Sequence, residues 1–297
     1  MAEVTTNELT DEMLEKRRKK EQSLFRKLTK NKLAAFGLVI ILLLTLTAIF
    51  APLLAPFHPN KMDVTKSLLG AGEEGHLLGT DNYGRDILSR VIYGSRISLI
   101  VGVSAVLFGA VFGTLLGVLS GYFGGFIDSV IMRFMDGLFA FPFILLAITL
   151  MTVLGQGLIN VIIAIGVANI PGFARLVRGQ VLSVKESDFI EVTRSLGARH
   201  RRIIFQHVLP NSIAPLIVYG TMSVAGAIIS EAALSFLGLG IPQPTASWGS
   251  MLKDGKDFLV LNPHMATFSG LAILITVLGI NLFGDGLRDA LDPKMKV

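Results

Sequence analysis

The stretch EVTRSLGARHRRIIFQHVLP, residues 191–210, gathers Glu191, Arg194, Arg199, His200, Arg201, Arg202 and His207 around one glycine, Gly197. A carboxylate beside imidazoles could transfer protons, and clustered guanidinium groups could clamp a phosphate. Neither chemistry finds the rest of its apparatus. The five histidines (His58, His76, His200, His207 and His264) are scattered without metal-ligand spacing, and the chain has no cysteine. No nucleophile sits beside a base. The phosphate cradle, Gly, four residues, Gly-Lys and Ser or Thr, does not occur. Its nearest approach, Gly249 to Asp257, has the wrong glycine spacing and an aspartate after Lys256. We therefore expect no catalytic residue, no metal and no nucleotide bound by this chain.

The chemistry left to the basic stretch is recognition. Phe189, Val192 and Leu196 follow helical spacing, which predicts a short amphipathic helix closed by Gly197. A second helical piece begins near Arg199, carries Ile203, Ile204 and Val208, and is expected to stop at Pro210. A plain solvated basic loop would also account for the charges. A second polar set lies elsewhere. Asp81, Arg85, Asp86 and Trp248 fall in two long segments between apolar runs, and Glu231 lies inside one such run. The set could form an outer gate or receive a receptor. Alternatively, Gly79 to Asp86 is a folded turn closing the bundle, and Glu231 a bundle-facing carboxylate paired within the chain.

What must position these groups is a membrane bundle. Only 16% of the 297 residues are charged and mean hydropathy is +0.63, whereas soluble domains carry about 25% charged residues. The net charge of +5 reads as loop charge that sets topology, not as a nucleic-acid surface. Six runs approach the ~20 apolar residues a spanning helix needs: 33–55, 97–120, 138–154, 158–175, 212–238 and 266–283. The first is a retained anchor, too long for a signal peptide. The third and fourth are joined by the tight turn Gly155-Gln156-Gly157. With both ends in the cytoplasm, 20 of the 27 Lys and Arg lie on the inner side, as the positive-inside rule requires. The expected fold is all-α with six transmembrane helices. In the second run Gly109, Gly113, Gly117 and Gly121 recur every fourth residue and line one packing face, within the bundle or between two copies. Asn169 with Pro171 predicts a kink in the fourth span.

Glu191, Gly197 six residues on, and Leu209-Pro210 resemble the EAA loop of binding-protein-dependent ABC importer permeases. Val192 and Thr193 replace that pattern's alanines, and His207 its isoleucine. Residues 76–99, HLLGTDNYGRDILSRVIYGSRISL, and 230–252, SEAALSFLGLGIPQPTASWGSML, resemble oligopeptide, dipeptide and nickel permeases, in the shorter of their two permease subunits. The resemblance implies the type I importer fold and uptake of oligopeptides or dipeptides, with nickel or another small solute as the alternative. It implies a prokaryotic inner or plasma membrane, a homologous second permease, two cytoplasmic ATPases that hold the ATP and Mg, and an extracytoplasmic substrate-binding protein. It makes 185–210 a coupling loop, with Phe189, Glu191, Val192, Leu196, Gly197, Leu209 and Pro210 as its working residues. The implied domains are a cytoplasmic tail, 1–32; the first helix and outer loop, 33–95; the permease domain, 96–286; and a cytoplasmic tail, 287–297. An ATP-independent channel or secondary transporter would need inverted repeats and midplane acids, which the sequence does not display.

Overall fold

The computed structural model describes residues 31–291. Nearly all of the expected basic tail therefore lies outside the described residues, as do the last six positions. Among the described residues the regular structure is helical, apart from one isolated β-bridge between Thr80 and Asp86.

Helix α1 (Lys32–Ile49) starts where the Asn31 side chain accepts from the Leu33 and Ala34 amides, at 3.1 and 3.2 Å. One short turn, α2 (Ala51–Leu54), carries it into the first long connection. Helix α3 (Ile87–Phe123) begins ten residues before the apolar run, because Asp86 caps it by accepting from the Ser89 amide at 2.7 Å. Its 37 residues extend about 55 Å, well beyond a ~30 Å hydrocarbon core. Both of its ends therefore stand clear of the lipid tails.

The third expected span is corrected. The segment divides into α4 (Gly125–Phe139) and α5 (Phe143–Leu154), which meet at 90°. Pro142 disfavours helical geometry at Phe141, and the run breaks there. Helix α5 alone reaches only about 18 Å, so a crossing needs part of α4. The bundle has five clear spans, or six with this bent pair. The turn at 155–157 forms as the sequence predicts, with Gly155 at φ +80° and Gly157 at +143°.

Helix α6 (Leu158–Lys185) also outruns its apolar stretch. Pro171 lies inside it, and the Asn169 side chain donates to the Ile165 carbonyl at 2.9 Å. A short helix, α7 (Asp188–Ser195), and a single turn, α8 (His200–Ile203), follow. Here the expectation that Pro210 ends the second piece is corrected. The chain passes through a π-helical turn, Ile204–Val208, straight into α9 (Leu209–Phe236). Proline lacks an amide proton and collides with the carbonyl four residues back. The widened turn, in which the Leu209 amide bonds to the Ile204 carbonyl, absorbs that collision. Helix α10 (Trp248–Gly255) and helix α11 (His264–Leu291) complete the fold.

The contacts fix the ends. The start of α1 meets the end of α11, where a side chain on Gly286 would collide with Ala34. The far end of α1 leads to Phe57, whose amide donates to Ser89 Oγ at 3.1 Å. The two described termini therefore share one end of the bundle with α7 and α8. The segments 56–86 and 237–263 cap the other end.

Candidate functional site

At the end with the termini, α7 and α8 form an elbow. Asp188 and Glu191 stand in the first turn of α7 and Arg194 in its last, the arrangement that the helix dipole favours. Ile190 is buried in a cluster with Tyr122, Val181, Ile203 and Val208, while Phe189, Val192 and Leu196 are exposed, Leu196 by 82%. The helix is thus held by one face and offers an apolar stripe on another. Gly197 closes it at φ +82°. Its amide bonds to the Arg194 carbonyl at 2.9 Å, and the Ala198 amide to the Thr193 carbonyl at 3.2 Å, the paired bonds of a Schellman turn. A side chain at Gly197 would meet nothing within 4 Å. The position demands glycine for its dihedral, not for space.

One hydrogen bond ties the elbow to α3, a second joins α6 to α3 just before it, and a ring contact joins α7 to the π turn. Tyr122, at the foot of α3, shares a hydrogen bond with His200 Nδ1 at 2.8 Å. Lys185 Nζ donates to the Tyr122 carbonyl at 2.9 Å. The Phe189 and His207 rings meet edge to face at 6.0 Å. Leu209 packs partly buried against the same cluster, and Pro210 is exposed in the first turn of α9.

The spans above are rigidly paired. Gly109, Gly113, Gly117 and Gly121 face α6. Side chains there would lie 2.7 Å from Asn169 Cβ, 2.8 Å from the Ile170 carbonyl, 2.8 Å from Val177 Cβ and 2.9 Å from Val181 Cβ. The glycine row therefore packs within the chain. Near its lower end Arg178 makes a two-pronged contact with Asp128 of α4, both bonds at 2.6 Å.

At the other end the polar residues turn inward. Asp81 Oδ1 accepts from the Tyr83 and Arg85 amides at 2.8 and 2.9 Å, and its Oδ2 from Arg85 Nε at 2.6 Å. Arg90 joins this pair, with Nε 3.6 Å from Asp81 Oδ2 and Nη1 donating to the Pro59 carbonyl at 3.1 Å. Asp254 lies 3.5 Å from Arg85 Nη2; burial pushes its carboxyl pKa up against the pull of the two arginines. Asp86 Oδ1 meets His76 Nδ1 at 2.8 Å. Trp248 lies against Gly94 and donates Nε1–H to the Val91 carbonyl at 2.9 Å. Glu231 accepts from Ser235 Oγ at 2.8 Å and Ser98 Oγ at 3.3 Å, joining α9 to α3. Asp81, Arg85, Asp86, Glu231 and Trp248 are all buried. They build the cap and its footing, and a partner would touch other residues.

Sequence reasoning did not single out Arg90, Asp254, His76, Tyr122 or Asp128. Their partners lie up to 169 positions away in the chain, and no local spacing announces such pairs.

A helical bundle with long apolar spans, an elbow with an exposed apolar stripe at one end and a closed cap at the other is the architecture of a multi-pass membrane subunit. Residues 113–297 match the family described as binding-protein-dependent transport system inner membrane component, and 22–71 match the N-terminal TM domain of oligopeptide transport permease C. The dipeptide transport system permease protein of Alkalihalophilus pseudofirmus is 49% identical over 272 residues, 92% of this chain and 89% of that protein. The glutathione transport system permease protein of Escherichia coli O6:K15:H31 is 48% identical over 272 residues, 92% of this chain and 90% of that one. Among solved structures, an inward-facing methionine ABC transporter aligns with TM-score 0.57 at 20% identity, covering 69% of this chain and 98% of that chain. An amino acid ABC transporter crystallised with histidines aligns with TM-score 0.53 at 14% identity, over 68% and 94%. These two likenesses concern the fold alone. The chain belongs to the binding-protein-dependent ABC transporter permeases, in their oligopeptide and dipeptide branch.

Proposed function

We propose that this chain is one of two permease subunits in an ATP-driven importer of small peptides, and that its elbow receives the thrust of a cytoplasmic ATPase. The observation that carries this reading is the apolar stripe Phe189, Val192 and Leu196, exposed on a helix whose other face is locked into the bundle. An apolar helix face docks in a groove. Glu191 meets a basic side chain at the groove's rim, where charge fixes register more than affinity. Gly197 lets α7 leave at the angle that the Schellman turn sets. Thrust on α7 reaches α3 through His200 and Tyr122, and α9 through the unbroken helix from His200. The glycine seam then moves α3 and α6 as one body.

In this reading the elbow and both ends face the cytoplasm, consistent with the 20 of 27 Lys and Arg on that side. The basic tail 1–32 and the end of the chain are cytoplasmic, 33–95 forms the first span and part of the cap, and 96–286 is the permease body. The cap faces the substrate-binding protein. Two ATPases hold ATP and Mg, a homologous permease completes the pathway, and this chain catalyses no reaction. Peptide cargo is favoured because relatives at 48–49% identity are named for dipeptide and glutathione.

The test is reconstitution of the whole complex in liposomes. ATP-dependent uptake of a labelled dipeptide, competed by other di- and tripeptides, supports the reading. Uptake that nickel competes away and peptides do not would overturn the cargo assignment.

A further inference from the structure

Arg96 is the last charged residue before an uncharged run that extends to Ile127. It stands nine residues into α3, about 14 Å along the helix, on the cap side of the apolar stretch. The other cap-side arginines of this region, Arg85 and Arg90, are buried and paired. Arg96 is half-buried and makes no hydrogen bond or ion pair with any described residue. Its guanidinium lies 5.8 Å from the Tyr93 ring centre, and tyrosine concentrates at the membrane–water boundary. Beside Arg96 opens a cleft of about 420 Å³ between α1 and α3. Below the cation its walls are Ala48, Ile49, Leu99, Ile100 and Val103, with the hydroxyls of Thr45 and Ser104. The Thr45 hydroxyl is already committed to the Ile41 carbonyl at 2.8 Å. Through Thr45, Leu99 and Val103 the cleft shares walls with an almost wholly apolar groove of about 810 Å³ that continues deeper along α3.

The geometry points to a binding site for one anionic phospholipid, with its phosphate on Arg96 and an acyl chain in the cleft between α1 and α3. The order of chemistry down the cleft, one cation at the boundary and then a mainly apolar wall without a further charge, matches a phospholipid read from headgroup to tail. An unpaired cation at the edge of the hydrocarbon carries a desolvation cost that an anion relieves. A free anion would find a single ligand there and nothing to enclose it. Ile49 and Ile100, on opposite walls, are exposed, so the cleft opens sideways where lipid stands. The inference is independent of the peptide assignment and requires only that the helices lie in a bilayer.

The experiment uses the assembled transporter, purified in mild detergent with phosphatidylglycerol or phosphatidylcholine and weighed by native mass spectrometry. The wild-type complex should keep one phosphatidylglycerol with at least a tenfold preference over phosphatidylcholine. Arg96→Gln should abolish the preference and Arg96→Lys should keep most of it. Ile100→Trp fills the cleft, leaves the charge in place, and should also lose the lipid. This second variant decides the matter should Arg96→Gln fail to assemble. The same phosphatidylglycerol count in Arg96→Gln or Ile100→Trp as in wild type overturns the site. So does displacement of the lipid by equimolar inorganic phosphate, or a crosslink from cysteine at Ile100 to another subunit in place of lipid.

Discussion

Tyr122 Oη and His200 Nδ1 lie 2.8 Å apart across 78 positions of sequence. Tyr122 is buried at the foot of α3 and His200 opens the second arm of the elbow. The pair therefore bridges the part of the chain that would be pushed and a helix that would move. Removing the hydroxyl in Tyr122→Phe forfeits about 0.5–1.5 kcal/mol and keeps the ring in its pocket. We expect normal insertion and assembly, and fewer peptides moved per ATP hydrolysed in proteoliposomes. An unchanged ratio would remove this contact from the coupling route.

Gly197 tests the elbow's shape. Its φ of +82° costs a residue with a Cβ about 1–2 kcal/mol, although the space is open. Gly197→Ala should weaken peptide-stimulated ATPase activity of the complex, and Gly197→Asn should weaken it less, because asparagine tolerates the left-handed region. A larger defect in Gly197→Asn than in Gly197→Ala would mean that volume, not dihedral, matters there.

The glycine seam makes an internal comparison. Gly113 has no room for a methyl group, which would stand 2.8 Å from the Ile170 carbonyl and 3.0 Å from the Ala174 amide. Gly137 and Gly179 are helical with nothing within 4 Å. Gly113→Val should reduce the yield of folded protein on size exclusion. Ala at Gly137 or Gly179 should be neutral or gain about 0.5–1 kcal/mol.

In the cap, Asp81 holds both Arg85 and Arg90. Asp81→Asn leaves two buried cations short of a counter-charge, and losing one partner of a buried pair costs about 3–5 kcal/mol. The melting temperature of the purified complex should drop by several degrees, and Arg85→Gln in the same chain should recover part of the loss. A cap unaffected by Asp81→Asn would mean that its charges are solvated.

Much of the bundle could be read from the sequence because hydrocarbon demands long uncharged runs, and five of the six expected runs each fall on one long helix, the first continuing into the short turn α2. Run length says nothing of where a helix ends in water. Helix α3 starts at Ile87 because Asp86 caps it, and α6 continues to Lys185 on a polar face. The third span misled because Leu138 to Leu154 is uncharged throughout, whereas the break follows from one residue, Pro142. Pro210 misled in the opposite sense, since a π turn carries the helix past it. The period-four glycines mark a face, yet their partner face on α6, built from Asn169, Ile170, Val177 and Val181, has no such signature. The cap was least legible: Arg90, Asp254 and His76 acquire meaning only when segments 56–86 and 237–263 fold together.

An elbow that faces the cytoplasm and carries an ATPase exposes Leu196 on that side and covers it when the complex assembles. The chain has no cysteine, so Leu196→Cys supplies a single thiol on the exposed stripe. The decisive measurement is labelling of that thiol by a membrane-impermeant maleimide in intact cells and in inside-out vesicles, with and without the ATPase subunits. Labelling is expected only in inside-out vesicles, with protection once the ATPases are bound. Labelling in intact cells, or labelling indifferent to the ATPases, would overturn both the orientation and the docking role of the elbow.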